Sequence, residues 1–119
     1  MDIEELERIL TEHPWLPRPR YVYLVKARVY GVVDGSVVVF KGAAPVSPRD
    51  RIALTVDADD VTVVHEVLHT MGFGELGAHL LAPRIRAFRR IAPPLIRREV
   101  KYAKVSEPHP LVEVYERVA

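Results

Sequence analysis

Read from the N-terminus, the apolar positions change period several times, and each change predicts an element. Ile3, Leu6, Ile9 and Leu10 recur at three- and four-residue spacing opposite Glu4, Glu5, Glu7 and Arg8. This predicts an amphipathic helix over Asp2–Glu12. His13-Pro14-Trp15-Leu16-Pro17-Arg18-Pro19 ends it, because proline cannot extend the hydrogen-bond ladder. Trp15 is expected in the core, where large aromatics usually place their area. Tyr21–Val33 is dominated by Tyr, Val and Leu, with Lys26 and Arg28 on one face, and predicts a strand with a bulge at Gly31. Asp34-Gly35-Ser36 predicts a hairpin turn returning through Val37–Phe40. Arg51–Val56 predicts a third strand.

The period then returns to that of a helix. Asp57, Asp59 and Asp60 supply an N-terminal signal ahead of Val61, Val64, Leu68 and Met71, and Val63 and Val67 widen the stripe. Gly72-Phe73-Gly74 supplies the stop. Beyond it, Leu76, Leu80, Leu81, Ile85 and Phe88 predict a second helix to about Ile91, kinked at Pro83 and broken by Ala92-Pro93-Pro94. Leu95–Val105 fits helix or strand. Glu107-Pro108-His109-Pro110 reads as a turn, and Leu111, Val112, Val114, Tyr115 and Val118 predict a short terminal helix. The sum is a single α+β domain spanning 1–119, with no internal repeat and no linker long enough to divide it.

Composition narrows the picture. The chain has 119 residues, 49% hydrophobic and 28% charged, which excludes disorder and allows one real core. It has no Cys, so disulfide frameworks and thiolate metal sites are excluded. No apolar run approaches the ~18 residues of a membrane span, and the acidic first residues do not resemble a signal peptide, so the expected compartment is the cytoplasm. Asn and Gln are absent while Arg, Glu, Val and Pro are plentiful, which suggests a thermophilic source.

Charge is unevenly spread although the net value is only +1. Arg84, Arg86, Arg89, Arg90, Arg97, Arg98, Lys101 and Lys104 stand against one acid, Glu99. Such a run could bind nucleic acid or an acidic partner. Only Phe88 and Tyr102 fall within it, fewer aromatics than a base-stacking surface needs, which favours a solvated face or one paired with the acidic N-terminal helix.

The candidate chemistry lies on the helix after Asp60. His65-Glu66-Val67-Leu68-His69 puts two imidazoles four residues apart on one helical face, with a carboxylate beside them. That pattern supplies two metal ligands and a general base able to deprotonate an activated water. Shuffling this composition yields the pattern in roughly one chain in fifty, so the spacing points to a metal site rather than to two core histidines. A catalytic site needs a third ligand and an open position. Glu75, ten residues after His65 and just past the glycine turn, is the candidate.

Here the chain resembles the zincin metallopeptidases. His65 to Glu75 reads H-E-x-x-H-x-x-G-x-x-E, similar to the metzincin pattern, though that family places His or Asp last. Glu75-Leu76-Gly77-Ala78-His79 resembles the ligand helix of gluzincins, including minimal archaeal ones, in which Glu is the third ligand and a polar residue follows four positions on. The likeness covers about a fifth of the chain. It implies zinc held by His65, His69 and Glu75, with Glu66 as the catalytic base. His79 would then orient a ligand or the water from outside the coordination sphere. It also implies a three-stranded twisted sheet ahead of the active-site helix, whose edge pairs with an extended peptide. Helix geometry keeps His79 open as an alternative third ligand, because a tight hairpin at a rise of ~1.5 Å per residue brings that position back to the level of the metal.

The expected function is hydrolysis of a peptide or protein substrate, with His109, Tyr102 or Tyr115 as candidate oxyanion donors. Two alternatives differ in kind. One is a non-catalytic metal module with a basic partner- or nucleic-acid-binding surface. The other is a peptidase-like scaffold held inactive by its termini or by self-association. Two His and a carboxylate also suit iron, cobalt or manganese.

Overall fold

The computed structural model describes residues 1–91 and 98–119. Helix α1 (Ile3–Thr11) starts from Asp2, whose side chain accepts the Glu5 amide, and buries Leu6, Ile9 and Leu10 as the apolar stripe requires. Among the described residues seven strands follow in two sheets: β1 (Tyr21–Val25), β2 (Val29–Val33), β3 (Ser36–Phe40), β4 (Gly42–Ala43), β5 (Arg51–Leu54), β6 (Tyr102–His109) and β7 (Val112–Arg117). Helices α2 (Asp60–Thr70) and α3 (Glu75–Ile91) lie between β5 and β6.

The main sheet has the order β4-β5-β1-β7-β6, with β1 and β5 parallel and the other neighbours antiparallel. Strands β1 and β5 alternate strictly. Val22, Leu24, Ile52 and Leu54 are buried beneath the helices, and Tyr21, Tyr23, Arg51 and Ala53 are half-buried on the other face. Helix α2 packs on this inner face through Val63, Val64, Val67 and Leu68, which are among the most buried side chains of the core.

Several expectations need correction. Tyr21–Val33 is two strands, because the chain leaves the main sheet after Val25 and β2 pairs only with β3, in a separate two-stranded sheet. Gly31 marks no bulge, since the β2–β3 register runs without a shift. Its missing side chain makes room for the Phe40 ring, which a Cβ there would overlap. The sheet therefore exceeds the expected three strands. The C-terminal segment is a hairpin and not a helix: β7 pairs with β1, a partner some ninety residues away that short-range pattern does not reveal. Trp15 is 49% exposed instead of core, and the guanidinium of Arg89 stacks on it at 3.9 Å. Pro83 lies inside helix α3. The expected break at Ala92-Pro93-Pro94 and the start of the ambiguous Leu95–Val105 segment lie outside the described residues; within the rest of that segment Tyr102–Val105 are strand. No described helix is long and apolar enough to cross a membrane.

Candidate metal centre

Helix α2 is fastened at both ends. Asp59 accepts the Thr62 amide at 2.9 Å while the Thr62 hydroxyl accepts the Asp59 amide at 3.3 Å, a reciprocal cap. At the other end Gly72 takes φ 98, and the amides of Gly72 and Phe73 return to the carbonyls of His69 and Leu68 at 3.0 and 3.2 Å. That is a Schellman closure, and glycine is what permits it. Its consequence is chemical. The Phe73 carbonyl is left 2.9 Å from Nδ1 of His69. A carbonyl only accepts, so Nδ1 carries the proton and Nε2 presents its lone pair.

The same turn starts α3 at Glu75, whose carboxylate swings back over α2. Its Oε1 lies 3.1 Å from His65 Nε2 and its Oε2 lies 3.0 Å from His69 Nε2. The two Nε2 atoms are themselves 3.0 Å apart. Ligand atoms 2.0–2.1 Å from a tetrahedral zinc lie about 3.3 Å from one another, so this set encloses an ion with small side-chain adjustments. Two imidazole nitrogens facing each other repel unless a proton or a cation sits between them. Burial lowers the affinity of His65 for a proton and the neighbouring His69 adds to this, although the Glu75 carboxylate opposes them. The donor set fits a divalent cation.

Glu66 lies on the inner side of this cluster. Its ligand atoms and those of His65 and His69 fall within 4.8 Å of one another, and Oε1 is 3.7 Å from His65 Nε2. The side chain is only 6% exposed, and Oε2 has no hydrogen-bond partner among the described residues. Burial pushes its carboxyl up to about 7, with the His69 charge working against the shift and the Glu75 charge for it. By contrast the Glu75 side chain is 80% exposed, so the cluster opens to solvent on that side.

Above Glu66 runs β4. A Cβ on Gly42 would lie 2.9 Å from Glu66 Cγ and 3.0 Å from both the Ala53 carbonyl oxygen and Thr62 Cγ2. Gly42 and the Phe73 carbonyl are the parts of the site that sequence reasoning missed. A lone glycine beside a strand is the one signal that could have pointed to the first, and a backbone carbonyl leaves none.

The remaining candidates lie elsewhere or are engaged. No hydrogen bond or ion pair joins His79 to the cluster among the described residues. It is exposed, and its charge is felt by His65. The Tyr102 hydroxyl donates to the Pro19 carbonyl, the Tyr115 hydroxyl to Glu113, and His109 Nδ1 accepts the Leu111 amide. In the basic run Arg86 pairs with Asp60 at 3.0 Å, so its partner is on α2 and not on the acidic N-terminal helix. A recess of about 360 Å³ lined by Asp59, Asp60, Val61, Pro83, Arg86 and Ala87 lies toward the start of α2, whereas the cluster sits at its far end on open surface. Compared with protein-family models, curated proteins and solved structures, the chain matches none.

Proposed function

We propose that this chain is a minimal zinc-dependent metallopeptidase with a zincin-like arrangement of sheet edge, active-site helix and ligand-bearing helix. The observation that carries the reading is the convergence of His65 Nε2, His69 Nε2 and the Glu75 carboxylate to within 3.0–3.1 Å, with the unpartnered carboxylate oxygen of Glu66 buried beside them. His65, His69 and Glu75 would hold the metal, on the side of the cluster that Glu75 leaves open to solvent. Zinc bound there would polarise a carbonyl and lower the pKa of a water toward ~7.

Glu66 does the proton work. Its carboxylate, buried beside His65, would accept the proton of the attacking water and return it to the leaving amine. The Phe73 carbonyl, through Nδ1, keeps Nε2 of the His69 ring turned toward Glu75 and His65, where it would serve as a ligand. Strand β4 is one of the two outer strands of the main sheet, short and uncharged, and it runs directly over Glu66. An extended peptide pairing with its free edge would bring a scissile bond to the cluster without a deep pocket.

The test is proteolysis of an unfolded protein substrate by the zinc-loaded chain. Glu66→Ala should keep its zinc and lose at least about a hundredfold in rate, and His65→Ala should lose both metal and activity. Full activity in Glu66→Ala contradicts the mechanism.

A further inference from the structure

The β2–β3 hairpin stands apart from the main sheet, and its two faces differ. On one, the Phe40 ring covers the bare backbone of Gly31, so the hairpin supplies its own filling. The other face carries the cross-strand pairs Tyr30–Val39 and Val32–Val37. These side chains are 60%, 41%, 71% and 72% exposed in that order, with no charged residue among them. The base of the hairpin is held firmly. Thr55 donates its hydroxyl to the Phe40 carbonyl at 2.8 Å and its amide to that of Lys41 at 3.0 Å, and Arg28 pairs with Asp57 at 3.1 Å. Among the described residues neither strand has another neighbour. An isolated two-stranded ribbon is marginal in water, and an ordered one with a bare β-branched face needs a cover.

We propose that this face is a self-association surface, on which two copies of the chain pack Tyr30, Val32, Val37 and Val39 against the same residues across a two-fold axis. A two-fold contact brings a patch against itself, which suits four uncharged side chains whose flanking cations, Arg28 and Lys41, are each paired with an aspartate, Asp57 and Asp59. The chain's net charge of +1 adds little repulsion between copies. A bilayer is a poorer occupant, because Asp34 at the exposed tip, with Arg28 and Lys41 at the base, would have to be desolvated. The face offers on the order of 400 Å² per copy, about half of what a standard interface buries per partner. The dimer is therefore weak, forming between roughly 10 µM and 1 mM.

Sedimentation of the full chain from about 1 µM to 1 mM reads this directly. The expected mass rises from 13.5 kDa toward twice that value. Val37→Lys and Val37→Glu, at an exposed position that folding does not need filled, should each weaken the dimer at least about tenfold. Tyr30→Thr, which keeps β propensity, should weaken it as well. An equimolar mixture of the Val37→Lys and Val37→Glu chains should dimerise again. A wild-type chain monomeric to 1 mM, an affinity unchanged in Val37→Glu and Tyr30→Thr, or a mixture that stays monomeric would each overturn the proposal. Cosedimentation of the monomer with phosphatidylcholine vesicles would also overturn it, by giving the face to a membrane.

Discussion

The two edges of the main sheet are built differently. Strand β6 spans eight residues, and its pairing with β7 is broken by two register irregularities, between Lys104 and Ser106 and between Ser106 and His109. It carries Lys104, Glu107 and Pro108. Bulges, charge and proline are the devices that stop an edge from recruiting another strand. Strand β4 is two residues, Gly42–Ala43, with no charge, no proline and no shift in register against β5. One edge is defended by bulges, charge and proline, the other is plain and kept very short, and the plain one crosses the buried carboxylate of Glu66. On the proposed reading, the β4 edge is the one that receives an extended peptide, while β6 is kept from recruiting another strand.

The largest expected effect comes from spoiling the plain edge. In Gly42→Val the new Cβ meets a backbone oxygen, that of Ala53, which cannot swing away, and the side chains of Glu66 and Thr62. We expect about 1–3 kcal/mol of strain and at least a tenfold loss of proteolysis with zinc content preserved. A Gly42→Val chain as active as wild type would separate β4 from catalysis. A smaller effect should follow from disarming the other edge. Glu107→Val combined with Pro108→Val removes a charge and the proline from β6, and light scattering should then report assembly at concentrations where wild type stays dispersed. Cleavage per folded chain should remain within about twofold. A double variant that remains dispersed would show that the bulges alone defend that edge.

The smallest effect concerns a histidine far from either edge. His13 is buried, with Nδ1 on the Ile9 carbonyl at 2.7 Å, and burial lowers its proton affinity below the ordinary value of 6.5, aided by the Arg89 charge. Above pH 6.5 both folded and unfolded chains carry it neutral, and it contributes no pH dependence. As pH falls below 6.5 the unfolded chain takes up the proton first, so stability is lost until the folded pKa is reached. Denaturant unfolding at several pH values should show wild type losing stability relative to His13→Gln over that window. Parallel curves would remove the assignment.

What could be read from sequence was local. The α2 stripe, its aspartate cap, its glycine stop and the His65–His69 spacing all reside within fifteen residues, and Glu75 follows within one more turn. What escaped was decided at a distance. Val112, Val114 and Tyr115 suit a helical stripe or an alternating strand, and only pairing with Tyr21–Val25 selects the strand, placing Glu113 where Lys26 and Lys104 satisfy it. Trp15 reads as core from its size, yet it lies on the surface under Arg89, a partner seventy-four positions away. The role of Gly42 depends on a helix that begins eighteen residues later.

The account stands on His65, His69 and Glu75 acting as one ligand set. Zinc stoichiometry by mass spectrometry on chain purified without added metal, then titrated, tests it most directly. The expected result is one zinc per chain in wild type, Glu66→Ala and His79→Ala. His65→Ala should lose the metal, and Glu75→Ala should bind it about a hundredfold or more weakly, beyond the loss typical of an outer-shell group. A wild-type chain that takes up no zinc, or a Glu75→Ala chain that binds it unchanged, would contradict the account.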